Sequence, residues 1–126
     1  MLVGIMSKEK NCRPRLRVLI GQVTALGPGK ASLLEAIDAT GSISAAARQM
    51  GMSYRRAWNL VDSMNSDFVA PVVKTNSGGK GGGGASVTKL GKEIIERYRE
   101  IEELAIASVE SQVTAFGSYL NLNETN

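Results

Sequence analysis

The chain has 126 residues, 43% apolar and 21% charged, with 15 Lys and Arg against 12 Asp and Glu; that suits one compact domain with an appendage and excludes two independent enzyme domains. It has no histidine and one cysteine, Cys12, so imidazole catalysis, Cys/His zinc sites and internal disulfides are excluded, and no cofactor is expected. No uncharged apolar run approaches the roughly 18 residues of a membrane helix, and residues 1–6 are too short for a secretory signal, so a cytoplasmic protein without a membrane partner is expected.

Residues 1–14 show no hydrophobic period and are expected to be a disordered or frayed N-terminus. After Pro14, apolar Leu16, Val18 and Ile20 alternate with the arginines Arg15 and Arg17, which predicts a half-buried strand. Gly27-Pro28-Gly29 punctuates the chain before a helix over 32–39 with the stripe Leu33, Leu34, Ala36 and Ile37. Ser32 and Glu35 have capping-box spacing there, and a start one turn earlier is also open. Gly41 closes this helix, and Ser42 or Ser44 caps a second, short one through Ala45, Ala46 and Ala47 to Met50, whose alanines imply close packing. After the break at Gly51-Met52, Ser53 caps a third helix to about Asp67. Its core face is Ala57, Leu60, Val61, Met64 and Phe68, at the i, i+3, i+4, i+7 spacing. Trp58, the sole tryptophan, is assigned to the core, with a stack on Tyr54 four residues away also open. Two short helices around a glycine turn predict a helix-turn-helix.

Residues 72–75 and 85–88 read as strands flanking the segment 77–84, in which six of eight residues are glycine. That is a hairpin. Thr88 caps a last helix whose stripe, Leu90, Ile94, Tyr98, Ile101, Ala105, Val109, Val113 and Phe116, runs on for about 27 residues, more than one small domain covers. The order predicts a mainly α fold with a small β-hairpin wing: a winged helix-turn-helix at 15–88, a long C-terminal dimerisation helix at 89–120 and a tail at 121–126.

Charge assigns partners to these parts. Residues 1–92 hold 13 basic against five acidic side chains, a net +8, and residues 93–126 hold two against seven, a net −5. The basic part suits double-stranded DNA, and the acidic part suits a protein interface. On the third helix the residues left outward are Ser53, Tyr54, Arg55, Arg56 and Asn59. Arginine forks onto guanine O6 and N7, asparagine onto adenine N6 and N7, and a helix in the major groove presents both. Ser42 and Ser44 offer amides and hydroxyls to a phosphate, and the Tyr54 hydroxyl can reach one. At the hairpin tip Gly79, Lys80 and Gly81 present amide donors and a cation to a phosphate or the minor-groove wall. The bland alternatives are solvated arginines, serines that only cap, and a floppy tip. The G-x-G-x-x-G match at Gly79, Gly81 and Gly84 is rejected as a dinucleotide site because a strand, not a helix, follows it. Homodimerisation is assigned to Ile94, Tyr98, Ile101, Ala105 and Val109.

The residues Gly41-Ser42-Ile43-Ser44, Ala46-Ala47, Gly51-Met52-Ser53-Tyr54-Arg55-Arg56-Ala57-Trp58, the glycine run around Lys80, and Thr88 resemble the DNA-binding domain of the ModE family of molybdate-dependent transcriptional regulators. The likeness spans about residues 15–105, and the helix-turn-helix frame alone is also similar to LysR-type regulators. The resemblance implies a homodimeric winged-helix protein that binds an operator of molybdenum-related genes, with residues 53–59 as recognition helix and 78–84 as wing. Full-length members carry two molybdate-binding modules for which 126 residues leave no room, so molybdate sensing is expected to lie elsewhere, for example in a separate molybdate-sensing protein. The rival reading is a winged-helix protein-interaction module without direct DNA reading, whose outward helix face should be apolar or mixed. An enzyme is not expected.

Overall fold

The structure is a computed structural model that describes residues 18–20, 23–76 and 84–121. The chain divides into two compact units, one comprising Arg17–Arg99 and the other including Glu100–Asn126. The expected wing tip at Gly79, Lys80 and Gly81 lies outside the described residues, as does the expected frayed start.

The first unit opens with two short antiparallel strands, β1 (Val18–Ile20) and β2 (Val23–Leu26), whose register shifts between Val18 and Leu19. A single strand was expected here. Two residues separate the two apolar runs, the spacing of a tight hairpin, and Val23–Leu26 folds back to satisfy the backbone groups of β1.

Helix α1 (Pro28–Thr40) begins a turn before Ser32, because Pro28 has its φ preset for the first helical position and needs no amide there. Gly41, at φ 73°, ends it by donating its N–H to the Ile37 carbonyl at 2.7 Å. In α2 (Ile43–Met50) the cap is Ser42, whose Oγ accepts from the Ala45 N–H at 3.0 Å, and Ser44 instead accepts from Arg48 Nη1 at 3.4 Å. The end of α2 is a Schellman motif: Met52 N–H bonds the Ala47 carbonyl at 3.0 Å and Gly51 N–H the Arg48 carbonyl at 3.2 Å, with Gly51 at φ 69°. Ser53 Oγ then accepts from the Arg56 N–H at 3.1 Å and starts α3 (Tyr54–Asp67).

Strands β3 (Val73–Asn76) and β4 (Gly84–Val87) pair antiparallel, Val73 opposite Val87 and Asn76 opposite Gly84. Thr88 closes the hairpin onto the last helix, α4 (Lys89–Gly117): its N–H reaches the Val72 carbonyl at 2.9 Å, and its Oγ1 accepts from the Gly91 N–H at 3.0 Å. Gly91 is required at this crossing, because a Cβ there would run into the Val72 carbonyl and lie 2.6 Å from Val87 Cγ1. The elements compose a winged helix. Its core joins Leu33, Leu34 and Ile37 of α1, the small Ala46 and Ala47 of α2, Ala57, Val61 and Met64 of α3, Val72, Val87 of the hairpin and Tyr98 of α4. The alanines let α2 approach its neighbours closely.

Candidate nucleic-acid interface

Two contacts fix the hairpin against the helix-turn-helix. The Asn65 side chain near the end of α3 accepts from the Val72 and Val73 N–H groups at 2.8 and 3.2 Å through Oδ1 and donates from Nδ2 to the Val73 carbonyl at 3.1 Å. A side-chain amide thus replaces a neighbouring strand for the first residue of β3. The Ala85 N–H reaches the Gly41 carbonyl at 2.9 Å, which ties β4 to the turn before α2. Sequence reasoning passed over Asn65; the signal available was a polar residue beside the buried Met64, on the half-buried side of an amphipathic helix.

The outward side of α3 follows from its inward side. Residues advance about 100° each around a helix, and Ala57, Val61 and Met64 are buried, so Arg55 and Asn59 point away from the core. Ser53, Tyr54, Arg55, Arg56 and Asn59 are all exposed, with Arg56 to one side of that outward strip beside the half-buried Leu60. A shallow hollow of about 320 Å³ is lined by Ser53, Arg55, Arg56, Asn59 and Leu60. Ser44 is exposed and Ser42 half-buried at the start of α2, and Arg48 is exposed one turn further on. Among the described residues no charged side chain is buried and no group of carboxylates and thiols is placed to hold a metal ion.

Trp58 departs from its assignment to the core. It lies one residue past the buried Ala57, at the rim of the apolar face, and is 40% exposed. Its ring stacks on Tyr54, itself 56% exposed, with centroids 6.5 Å apart and planes 9° from parallel. Tyr98 likewise departs from the dimerisation stripe: it is 2% exposed and completes the core of the first unit, with Ile94 half-buried against the same core. The reason is that the first turns of α4 cover the domain they follow, and Arg99 then pins the helix to α1 through a two-pronged pair with Glu35, Nη2 to Oε1 at 2.7 Å and Nε to Oε2 at 3.1 Å. In the second unit Ile101, Leu104, Val109 and Phe116 are exposed and Ala105 is half-covered.

No family model matches the chain. It is 46% identical over 98 residues to the molybdenum-pterin-binding protein MopB of Rhodobacter capsulatus, covering 78% of this chain and 35% of that protein. Against the DNA-binding transcriptional dual regulator ModE of Escherichia coli it is 42% identical over 71 residues, 56% of this chain and 27% of that one. The chain is related to the ModE and Mop proteins. It spans about a third of the length of these ModE and Mop relatives. In three dimensions it is similar to the DNA-binding domain of CbnR as solved in complex with DNA, with a TM-score of 0.53 and 21% identity over 69% of this chain and 94% of that one, a likeness of fold. No helix among the described residues is long and apolar enough to cross a membrane.

Proposed function

We propose that this ModE-related chain is a sequence-specific DNA-binding module of a cytoplasmic transcriptional regulator of molybdenum metabolism or transport genes. The observation that carries the proposal is the outward side of α3, where Arg55, Arg56 and Asn59 are exposed together within the first turns of a helix held by its Ser53 cap. These side chains carry the donors and acceptors that distinguish base pairs in the major groove. Ser42, Ser44 and Arg48 on α2 serve the phosphates beside the groove, and the wing tip, Gly79, Lys80 and Gly81, serves a phosphate or the minor groove. The molybdenum link rests on the names of the relatives. Homodimerisation rests on Ile101, Ala105 and Val109, whose spacing of four puts them on one helix side, with Leu104 67% exposed next to them.

Binding of labelled duplexes from the source genome, repeated across salt concentrations, tests the proposal. Each phosphate neutralised lowers log K by about 0.9 per unit of log salt, so several contacts give a steep fall and a preferred fragment survives it best. Affinity that is flat with salt, or equal for all fragments, contradicts it.

A further inference from the structure

The reading strip of α3 has a neighbour that base recognition does not use. A cleft of about 320 Å³ opens between α2, α3 and the base of the hairpin, lined by Ser42, Ser44, Thr75 and Asn76 around the stacked rings of Tyr54 and Trp58. Among the described residues no carboxylate lines it, and Arg48, Arg55 and Lys74 on the elements that form it are exposed.

We propose that this cleft seats one nucleotide of the DNA backbone, with its deoxyribose packed on Trp58 and its phosphate taken by the surrounding hydroxyl and amide groups. The inference rests on the DNA-binding reading and adds to it a positioning role for Trp58. Three observations carry it. Two large aromatic rings left in water cost hydrophobic free energy that burial under a partner recovers, and their mutual stack holds them in one orientation before the partner arrives. The lining matches a sugar-phosphate unit, which presents an apolar ring face next to anionic oxygens: aromatic rings together with hydroxyls and a carboxamide, and no carboxylate among the described residues. The placement matches too. Trp58 lies about 80–90° around α3 from the strip centred on Arg55 and Asn59, so a helix that turns that strip to the base edges turns this flank to the wall of the groove, which is backbone.

Trp58 is the sole tryptophan, so its fluorescence reports this cleft alone. The experiment follows quenching of that fluorescence by acrylamide in the free chain and in the chain saturated with duplex, saturation being set independently by the anisotropy of labelled DNA. Quenching is expected to fall roughly threefold or more in the complex. Trp58→Ala should weaken preferred and unrelated duplexes alike by roughly tenfold, and Trp58→Phe, which keeps a ring, by roughly threefold or less. Quenching that is unchanged at saturation overturns the proposal and leaves the DNA-binding reading standing, without recourse to any variant. So does a loss confined to the preferred duplex and reproduced when uracil replaces thymine, because the ring then reads a thymine methyl. A chain that shifts the anisotropy of no duplex overturns both.

Discussion

Asn65→Ala removes one side chain and strands three backbone groups. The Val72 and Val73 N–H groups lose the acceptor that holds them at 2.8 and 3.2 Å, and the Val73 carbonyl loses its donor at 3.1 Å. Val72 and Val73 are themselves buried, so water reaches these groups poorly. An orphaned buried donor costs about 1–3 kcal/mol. Because the Asn65 bonds are only partly buried, the low end applies to the two donors and the expected loss is about 2–3 kcal/mol. For a domain of this size each kcal/mol moves the melting temperature by about 4–8 °C, which predicts a drop of about 8 °C or more. Thermal melts of Asn65→Ala beside Ser66→Ala, an exposed neighbour expected to change stability by less than about 0.5 kcal/mol, measure it. Hydrogen exchange localises it, because the Val72 and Val73 amides should exchange faster in the variant while those of α1 change only as global stability does. A variant that melts within about 2 °C of the parent, or that keeps those two amides equally protected, refutes the account of how the hairpin is anchored.

Gly91→Ala should destabilise by about 1–3 kcal/mol through overpacking, because the new methyl meets the Val72 carbonyl and Val87, whereas Gly29→Ala, with open space around it in the first turn of α1, should be neutral or stabilise by up to about 1 kcal/mol; paired urea titrations compare them. The double variant Ile101→Glu with Val109→Glu should convert dimers to monomers in sedimentation equilibrium while the melting of the winged helix is kept, since both positions are exposed in the second unit and neither belongs to the core. Dimers that persist would move the interface off that helix side.

The helices were legible because their ends are chemically marked: Gly41 and Gly51 sit at the two left-handed caps, Ser42 and Ser53 accept the first free amides, and the spacing of Ala57, Val61 and Met64 names the buried side of α3. The hairpin at β3 and β4 was legible to within one residue. What was missed has separate causes. A stripe along α4 reads the same whether it meets its own domain or another surface, so Tyr98 and Ile101 looked equivalent although only Tyr98 is buried. Trp58 was misassigned because residue type suggested a core side chain while its angle on the helix placed it at the rim. Asn65 makes its bonds seven and eight residues away, a pairing that no periodic pattern announces.

The most direct measurement is the ratio of affinities for the preferred and an unrelated duplex, taken at one salt concentration for the parent, Arg55→Ala, Arg56→Ala and Asn59→Ala. A good bidentate base contact carries about 1–3 kcal/mol of discrimination, so at least one arginine variant should lower the ratio by roughly 5- to 150-fold while its melting temperature stays that of the parent. If all three variants keep the parent ratio, α3 does not read the bases and the function assigned to its outward face is wrong.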